Sequence, residues 1–342
     1  MRRRRFLTLG IGAAVAASAP AWIGPARGAA SEAGSTLAAY DAFGDPTLRG
    51  RVASAGDLIP PGAAIRSARD ALPGARVRTR LAAALTTLLG DDAWRRICRP
   101  GDVVALKLNA LAAPGLAPRP ELVAALVEGI RSTGVAAGDI ILWDRTTREL
   151  ARAGFPRQTS AGAVRAYGSD ALRGGGYARE LESCGAVGSL VSRILTDYAT
   201  VLVNVGVLKD HDLAGVSAGM KNLYGVIHNP NRYHDNACSP YVADVAALPS
   251  VRQRLRLTVI DAVVGQAHGG PAHDPRWSWP CNRLLLGVDP VAVDSVARDW
   301  ISAQRAARGL PTLSEAGRDP RWLAVAAARG LGQAVAIELV EV

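Results

Sequence analysis

The sequence predicts an α/β fold in which a mostly parallel β-sheet carries helices on both faces. Near-continuous apolar runs alternate along the chain with longer segments of helical periodicity, as in sheets that are covered on both sides. Polar residues collect where the apolar runs end, which is where ligands bind in sheets of this kind. With 342 residues, of which 49% are hydrophobic, the chain can build a substantial core.

The first half of the chain begins with a segment of irregular composition and then becomes regular. Residues 31–75 are rich in Gly, Pro and Ala, and we expect them to form an irregular arm packed on the domain. Residues 79–89 are apolar and predict a helix. The apolar run 103–109 predicts a buried strand that ends in polar residues. Residues 118–133, with a proline near their start and a glycine after their end, predict a helix, and residues 139–144 a second strand.

The second half continues this alternation. A helix predicted at residues 189–198 leads into the apolar run 200–208, which predicts a third strand. Residues 289–308 predict a long helix, because Asp289 can cap its first turn and Pro290 suits the first helical position. The remaining predicted elements are strands at 255–264, 283–288 and 336–342 and a helix at 321–329. This succession is typical of a Rossmann-like sheet.

The first thirty residues predict a twin-arginine signal peptide. Arg3-Arg4-Arg5-Phe6-Leu7 fits the pattern of two arginines, any residue and Phe-Leu, and a weakly apolar stretch and a small-residue cleavage zone follow it. We therefore expect a signal peptide at 1–30, an N-terminal arm and helical segment at 31–100, and an α/β domain at 101–342. The expected partner is the twin-arginine export machinery, and the expected location is the periplasm or another compartment reached by that route.

Charge and cysteine content exclude several classes of function. Half of the formal charge of +10 lies in the first thirty residues, and the rest forms no basic stripe, so no nucleic-acid partner is expected. The four cysteines, which contain no C-x-x-C pair, predict no self-contained iron–sulfur cluster and no structural zinc site. In an exported protein they could form one or two disulfides, and the sequence leaves the pairing open. The cysteines are Cys98, Cys184, Cys238 and Cys281.

Residues 207–234 carry an unusual share of the reactive side chains. All five histidines lie between His211 and His273, and the chain has only three lysines among its 40 basic residues. In a chain so biased towards arginine, each lysine indicates a role for a compact ammonium or a nucleophilic amine. The small residues 214–219 follow the third predicted strand and allow backbone amides to approach a ligand. The stretch therefore predicts a site for a small anionic ligand.

Residue type and position indicate candidate roles. His211 and Lys221 are the candidate catalytic residues, an acid/base imidazole and an amine whose pKa burial can lower. Neutral imidazoles suit nickel, iron or zinc, so a transition metal is a candidate cofactor, although a histidine can equally be structural. The candidate metal ligands are His228, His234 and His268. The candidate anion-binding residues are Lys107, Asn109, Lys209, Ser217, Gly219 and Asn222.

Three aspartates are candidate supporting residues. Asp261 ends a predicted strand before the Gly-rich loop that contains His268, and it could hold a histidine tautomer or a metal. The capping role alone would explain Asp289. Asp294 lies one turn into the following helix, where its side chain could face either the site or the solvent.

Five separated motifs resemble those of the domain-of-unknown-function 362 family, over about residues 100–300. The motifs are Lys107-Leu-Asn109, Leu208-Lys-Asp-His211, Gly219-Met-Lys-Asn-Leu-Tyr-Gly225, Asp261-Ala262 with Gly269-Gly-Pro271, and Asp289-Pro-Val-Ala-Val-Asp294. Many proteins of that family carry a ferredoxin-type cluster segment. The cysteines of this chain supply no such segment, so a redox role would need a redox partner protein.

The stretch from His211 to Lys221 is also similar to a loop of the nickel-pincer lactate racemase family. The pattern there is His, two residues, Ala-Gly-x-Ser-Gly-Gly, one residue and Lys. By position, the similarity implies that His211 is an acid/base catalyst, that Lys221 tethers an organic pincer cofactor, and that His234 or His228 binds nickel. This chain has Ala218 in place of a glycine, and no histidine precedes His211 for a two-base racemisation.

These observations predict an exported enzyme of unknown substrate that transfers a proton or hydride on a small anionic metabolite. Its cofactor would be a transition metal or a lysine-tethered organic group. The enzyme would be an oxidoreductase or a racemase-like isomerase. The alternatives are a non-catalytic periplasmic protein that binds a ligand or metal with the same side chains, or an interaction protein that has kept the fold. An enzyme would consume its ligand, whereas a binding protein would only be stabilised by it.

Overall fold

The computed structural model describes residues 46–342, so the signal peptide expected over residues 1–30 lies outside the described residues. The strands are β1 (Arg51–Ala55), β2 (Val104–Leu108), β3 (Ile140–Trp143), β4 (Arg165–Ala166), β5 (Tyr177–Cys184), β6 (Val187–Ser192), β7 (Val201–His211), β8 (Gly215–Ser217), β9 (Leu255–Gln266), β10 (Ser278–Gly287) and β11 (Glu338–Glu341). Within residues 46–342, nine of these strands form one sheet in the order β11-β1-β10-β9-β7-β2-β3-β4, with β8 paired to β7, while β5 and β6 form a separate hairpin.

The sheet is mixed but mostly parallel, which confirms the predicted α/β, Rossmann-like class. Strands β9, β7, β2, β3 and β4 run parallel to one another, and β10 pairs antiparallel with both β9 and β1. The parallel strands β2, β3, β7 and β9 are mostly apolar and are buried along their whole length because helices cover both faces. Their carboxyl ends therefore meet at one edge, where the polar residues of β2, β3 and β7 come together.

Helices form a layer on each face of the sheet. The helices are α1 (Gly74–Leu89), α2 (Ala93–Ile97), α3 (Pro120–Ser132), α4 (Thr147–Arg152), α5 (Tyr241–Ala246), α6 (Pro249–Arg252), α7 (Pro290–Ala307) and α8 (Trp322–Ala328). Helices α1, α2 and α3 share one core with Val203 and Val205 of β7, whereas α5, α7 and α8 share the other core with Leu202 and Leu208. Alternate residues of β7 thus point to opposite faces, as the pleat of a strand requires.

The segment expected to be an irregular arm contributes a strand to the sheet. Strand β1 pairs antiparallel with β10 and parallel with β11, the C-terminal strand. The prediction of irregular structure over residues 31–75 is therefore wrong for residues 51–55. Their sequence, Arg-Val-Ala-Ser-Ala, is short and only weakly apolar, so long-range pairing rather than local propensity makes this strand.

The helix predicted over residues 189–198 is also wrong for residues 189–192. Residues 187–192 form β6, in which Val187, Ser189 and Val191 are buried at every second position, and a π-helical turn, Ile194–Tyr198, follows. The two-residue period of burial is that of a strand with one face against the core. Pairing with β5 in the hairpin selects the strand over the helix.

Strand β7 runs three residues beyond its predicted end. Lys209, Asp210 and His211 pair antiparallel with Ser217, Val216 and Gly215 of β8, so the expected loop is a tight β-hairpin. Gly215 has a φ of 76°, and a Cβ there would collide with the carbonyl oxygen of Arg318. The hairpin holds the side chains of Lys209 and His211 at fixed places on the strand end.

Two further observations concern membrane-spanning helices and the cysteines. None of the helices within residues 46–342 combines the length and the apolar character needed to cross a membrane. The four cysteines Cys98, Cys184, Cys238 and Cys281 are free thiols, and Cys98 and Cys238 are buried.

Candidate functional site

A pocket of about 470 Å³ opens at the carboxyl ends of β2, β3 and β7. This is the edge of the sheet at which the strand pattern predicts ligand binding. Seven of the predicted site residues line this pocket, namely Lys107, Asn109, His211, Ser217, Lys221, Asn222 and His234. The remaining walls include Leu111, Asp144, Arg145, Glu149, Asp212, Leu213 and Tyr224.

Lys107 is buried at the floor of the pocket, and its charge is paired within the protein. Its Nζ lies 2.6 Å from Asp144 Oδ1 and 3.2 Å from Asn222 Oδ1. The other oxygen of Asp144 accepts the N–H of Ala110 at 2.7 Å. Gly225 makes room for the lysine, because a Cβ there would collide with Lys107 Cε and Nζ. Lys107 therefore connects the ends of β2 and β3, and its charge is already balanced.

Lys209 is fully buried behind the wall of the pocket. Its Nζ donates to the carbonyl of Pro271 at 2.9 Å, and Pro271 itself lines the pocket. Burial lowers the pKa of Lys209 to about 8, and the charge of Lys221 adds to this effect while Asp144 and Asp210 oppose it. A buried ammonium next to the cavity contributes positive potential there, because the surrounding dielectric is low.

Lys221 faces the pocket from the short 3₁₀ helix Met220–Val226. Its Nζ lies 3.1 Å from His234 Nε2 and 3.7 Å from the centroid of the Tyr224 ring. Burial lowers the pKa of Lys221 to about 8. No carboxylate in residues 46–342 forms an ion pair with this amine. Lys221 is thus a cation whose nearest partners are a neutral imidazole and an aromatic face.

His211 is held as a neutral imidazole. Its Nδ1 lies 3.2 Å from the backbone nitrogen of Leu213 and 3.3 Å from that of Ala214, so Nδ1 accepts and the ring proton lies on Nε2. Burial, followed by the charge of Lys221, lowers the pKa of His211 to about 2. The contact of 3.1 Å between Nδ1 and Asp212 Oδ1 is therefore not an ion pair at neutral pH. His211 offers the pocket an N–H donor.

His234 stacks beside His211 and takes the opposite tautomer. The ring centroids lie 5.7 Å apart with an angle of 27° between the planes. Burial and the charge of Lys221 lower the pKa of His234, while its hydrogen bonds to the carbonyls of Pro230 and Asn231 act in the opposite direction. Those carbonyls hold the ring proton on Nδ1, so Nε2 accepts a hydrogen bond from Lys221.

The loop that carries Lys221 is anchored from behind by Asp294 of α7. Asp294 is fully buried, and its two carboxylate oxygens accept the N–H groups of Gly219 at 2.7 Å and Met220 at 2.8 Å. Asn204 of β7 donates to the carbonyl of Gly219 at 2.8 Å and accepts from Asn222 at 2.8 Å. Gly219 and Asn222, both predicted to bind an anion, therefore position the loop, and of these two only Asn222 lines the pocket.

Asp261 and Asp289 support the fold at some distance from the pocket. Asp261 accepts the backbone N–H of Arg119 at 2.8 Å and lies 3.6 Å from the Arg119 guanidinium, so it holds an arginine rather than a histidine. Asp289 caps α7 and also accepts the N–H groups of Gly50 at 3.0 Å and Gln333 at 2.9 Å. Both carboxylates satisfy buried backbone donors, which is a structural role.

The three predicted metal ligands do not converge. His228 is exposed, with Nδ1 3.1 Å from Ser189 Oγ, and His268 packs on Trp277 with Nδ1 3.0 Å from an Arg318 nitrogen. Only His234 of this set lines the pocket. Within residues 46–342, no group of three or more His, Cys, Asp or Glu side chains is arranged to hold a metal ion.

Sequence reasoning assigned no role to Asp144, Arg145 or Tyr224, which all line the pocket. Asp144 follows β3 directly, and the rule that ligands bind at strand ends had already placed it among the polar residues there, whereas Arg145, one position later, was not singled out. Arg145 is inconspicuous in a chain so rich in arginine, yet its Nε is buried without a hydrogen-bond partner. Tyr224 lies within the motif Gly219–Gly225, where it looks like a core residue.

Comparison with known proteins identifies the chain at the level of a family. No curated protein matches the sequence. The sequence model of the family described as Domain of unknown function (DUF362) matches residues 104–299, which is more than half of the chain. The matched region contains β2, β3 and β7 with the pocket at their ends, and also Asp294 of α7. This chain therefore belongs to the DUF362 family.

Proposed function

We propose that this protein is an enzyme that binds a small anionic metabolite and transfers a proton, with Lys221 as the catalytic base. The observation that carries the proposal is the environment of the Lys221 amine, which faces the pocket, has a pKa of about 8 and contacts a neutral histidine instead of a carboxylate. An amine of this kind is partly unprotonated near neutral pH and can accept a proton from a bound molecule.

The anion would bind beside Lys221, with its carboxylate on Arg145. Lys221 lacks a carboxylate partner in the described part of the chain, and Arg145 presents a guanidinium whose Nε has no hydrogen-bond partner. Three acidic residues also line the pocket, but Asp144 is paired with Lys107, and Asp212 is largely exposed at its mouth, which leaves Glu149. Buried charges act more strongly than charges that water screens. The buried basic residues at the floor of the pocket therefore favour a bound anion. A guanidinium suits a carboxylate because both are planar and bind in pairs of hydrogen bonds.

His211 would stabilise the negative charge that develops during the transfer, and His234 contacts the Lys221 amine. The amine of Lys221 accepts the proton from the carbon next to the carboxylate, and the Nε2–H of His211 donates a hydrogen bond to the oxygen on which negative charge develops. Return of a proton from the Lys221 ammonium to the same carbon completes an exchange of the α-hydrogen without an external oxidant. His211 is thus assigned as a neutral hydrogen-bond donor, whereas its resemblance-based role was acid/base catalysis.

The pincer-type cofactor implied by the loop resemblance would need a lysine amine and a histidine nitrogen that face one cavity. Lys221 and His234 meet this requirement, so these residues would hold it. When bound, such a group supplies a hydride acceptor. The proton transfer proposed here uses only the side chains of this chain.

The experiment is a solvent-exchange assay. We expect the wild-type protein, in D₂O, to replace the α-hydrogen of at least one member of a panel of 2-hydroxy and 2-amino carboxylates, followed by proton NMR. We expect Lys221→Met to abolish this exchange and Arg148→Ala, an exposed arginine on α4 outside the pocket, to leave it unchanged. Binding without exchange would assign the protein to the non-catalytic class, and the absence of both would overturn the proposal.

We also propose that the chain is exported by the twin-arginine route. The support is the sequence Arg3-Arg4-Arg5-Phe6-Leu7 ahead of a weakly apolar stretch. We expect the protein in the periplasmic fraction of a producing cell and expect the double substitution Arg3→Lys with Arg4→Lys to retain it inside. Equal export of both forms would contradict this proposal without affecting the assignment of the pocket.

A further inference from the structure

A second cavity of about 450 Å³ lies next to the pocket. Its walls come from the loop after β2, from the segment around Ser67 and Arg69, from Arg152 at the end of α4, and from Ala272 and His273. Leu111 lines both cavities, and the neighbouring residues Pro271 and Ala272 line the first and the second, respectively. The two cavities therefore meet at Leu111, whose side chain is 54% exposed.

The second cavity is basic. Arg69, Arg152 and His273 line it, and none of its lining residues, all of which belong to the described part of the chain, is acidic. Burial lowers the pKa of His273, with the charge of Arg69 adding to the effect and Asp274 opposing it. Two guanidiniums and an imidazole around one cavity form a site that favours a bound anion.

The segment that carries Arg69 is fixed by buried contacts. Arg119, which pairs with Asp261, donates to the carbonyl of Asp70 at 2.7 Å and to the carbonyl of Ser67 at 3.0 Å. The Asp70 carboxylate accepts the backbone N–H groups of Arg66 and Ser67 at 2.7 and 2.8 Å. These bonds shape the segment and occupy the nearest carboxylate, so the charge of Arg69 stays available to a ligand.

Arg152 and His273 are also held in place. One Arg152 nitrogen donates to the carbonyl of Ala113 at 2.6 Å, which leaves further N–H groups of its guanidinium for a ligand. The ring of His273 lies against Gly115, where a Cβ would collide with it, and its Nε2 lies 3.3 Å from Ser278 Oγ. Two donors that are held before binding lose little conformational freedom when the ligand arrives.

We infer that the substrate carries two anionic groups, one bound in the pocket at Lys221 and one bound in the second cavity by Arg69, Arg152 and His273, joined by a short apolar segment that crosses Leu111. The second group is a carboxylate or a phosphate, since both accept paired hydrogen bonds from guanidinium. This inference rests on the proposed anion site at Lys221 and adds the class of molecule that the site takes.

The test is calorimetric binding of two ligand series to the wild-type protein. We expect the α,ω-dicarboxylates from malonate to pimelate to show one preferred chain length, which binds about tenfold or more tightly than the monocarboxylate of equal length, because a second charge-assisted contact forms. The matching ω-phosphonocarboxylates determine whether the second cavity prefers phosphate or carboxylate. Equal affinity for mono- and dicarboxylates at every length would overturn the inference.

Substitutions locate the second contact. We expect Arg69→Ala and Arg152→Ala each to remove most of the advantage of the dicarboxylate, with Arg148→Ala as the control on α4. Arg69→Ala is the decisive variant, because the Arg69 side chain makes no hydrogen bond in the described structure, whereas Arg152 supports the loop through Ala113. An unchanged advantage in Arg69→Ala and Arg152→Ala would place the second group elsewhere and overturn the inference. If Lys221→Met leaves α-hydrogen exchange intact, the proposed function itself has failed, which is a separate result.

Discussion

At the scale of single residues, the three lysines gather at one site but differ in what balances their charge. Lys107 has the carboxylate of Asp144, Lys209 has one backbone carbonyl, and Lys221 has an imidazole and an aromatic ring. Burial lowers the pKa of both Lys209 and Lys221 to about 8. The lysine with a carboxylate is therefore structural, and those without one are the source of reactivity and of positive potential.

A substitution at Lys221 that keeps the charge separates anion binding from proton transfer. We expect Lys221→Arg to retain binding of carboxylates and to lose α-hydrogen exchange, because a guanidinium stays protonated at all accessible pH values. In the wild-type protein, exchange at low substrate concentration should rise with pH and level off above a midpoint near 8, where the free amine becomes unprotonated. A pH profile that falls across this range would show that the protonated amine is the active form.

Lys209 should reduce the stability of the fold near neutral pH. Its folded pKa lies below the unfolded value of 10.5, so the unfolded state binds more protons between about pH 8 and 10.5, and stability rises with pH across that window. We expect Lys209→Met to raise the free energy of unfolding by on the order of 2 kcal/mol at pH 7, with a smaller gain at pH 10. Urea unfolding at both pH values measures this. A loss of stability at pH 7 would mean that the contacts of this ammonium outweigh its desolvation.

At the scale of elements, the site depends on a hairpin and a short helix that α7 holds in place. Strand β7 carries His211, the turn into β8 fixes its ring through two backbone N–H groups, and the following loop brings Lys221 back to the same cavity. Asp294 is the contact that joins this loop to α7. The geometry of Lys221 is therefore set by a residue more than seventy positions later in the chain.

Asp294→Asn tests this connection. The amide keeps one oxygen acceptor and places an N–H₂ group against the N–H of Gly219 or Met220, so one buried donor loses its partner. We expect a loss of about 2 kcal/mol in stability and a larger proportional loss of exchange activity than of carboxylate affinity. Asp299→Ala, an exposed residue of the same helix, is the control. Activity equal to that of the wild type at a temperature where both are folded would show that the loop is positioned without Asp294.

The sequence predicted correctly the strands at the centre of the sheet, which are buried on both faces. The runs at 103–109, 139–144, 200–208 and 255–264 are mostly apolar and form β2, β3, β7 and β9. The errors fall where tertiary contacts decide the structure. Residues 187–192 become a strand because they pair with β5, and residues 51–55 because they pair with β10 and β11.

The site could be predicted in position but only partly in the roles of its residues. Strand ends and rare lysines identified Lys107, His211 and Lys221, since these follow from the local sequence. Three-dimensional partners decided the rest. How distant segments meet decides two features of the site, and no local pattern predicts either of them. These are the pairing of Lys107 with Asp144 and the separation of His228 from His234.

At the scale of the whole molecule, both ends of the described chain close the far side of the sheet. Strands β1 and β11 pair in parallel, and Asp289 accepts N–H groups from Gly50, Gln333 and the first turn of α7. The pocket lies at the ends of β2, β3 and β7, on the other side of β9 and β10. One half of the sheet therefore stabilises the fold through chain ends, while the other half carries the candidate site.

Asp289→Ala tests whether the stability of one half of the sheet affects ligand binding at the other half. Three buried backbone N–H groups lose their acceptor, so we expect a loss of about 3 kcal/mol in the free energy of unfolding. Hydrogen exchange should become faster for the amides of residues 50–55 and 338–341, because these strands lose their connection to α7. Carboxylate affinity at low temperature should stay within about twofold of the wild type, since no contact of Asp289 reaches the pocket.

Asp299→Ala again serves as the control on α7. If the carboxylate affinity falls by as large a factor as the amide hydrogen-exchange rate of β1 rises, the sheet behaves as one cooperative unit. The pocket would then depend on the pairing of the strands at the two chain ends.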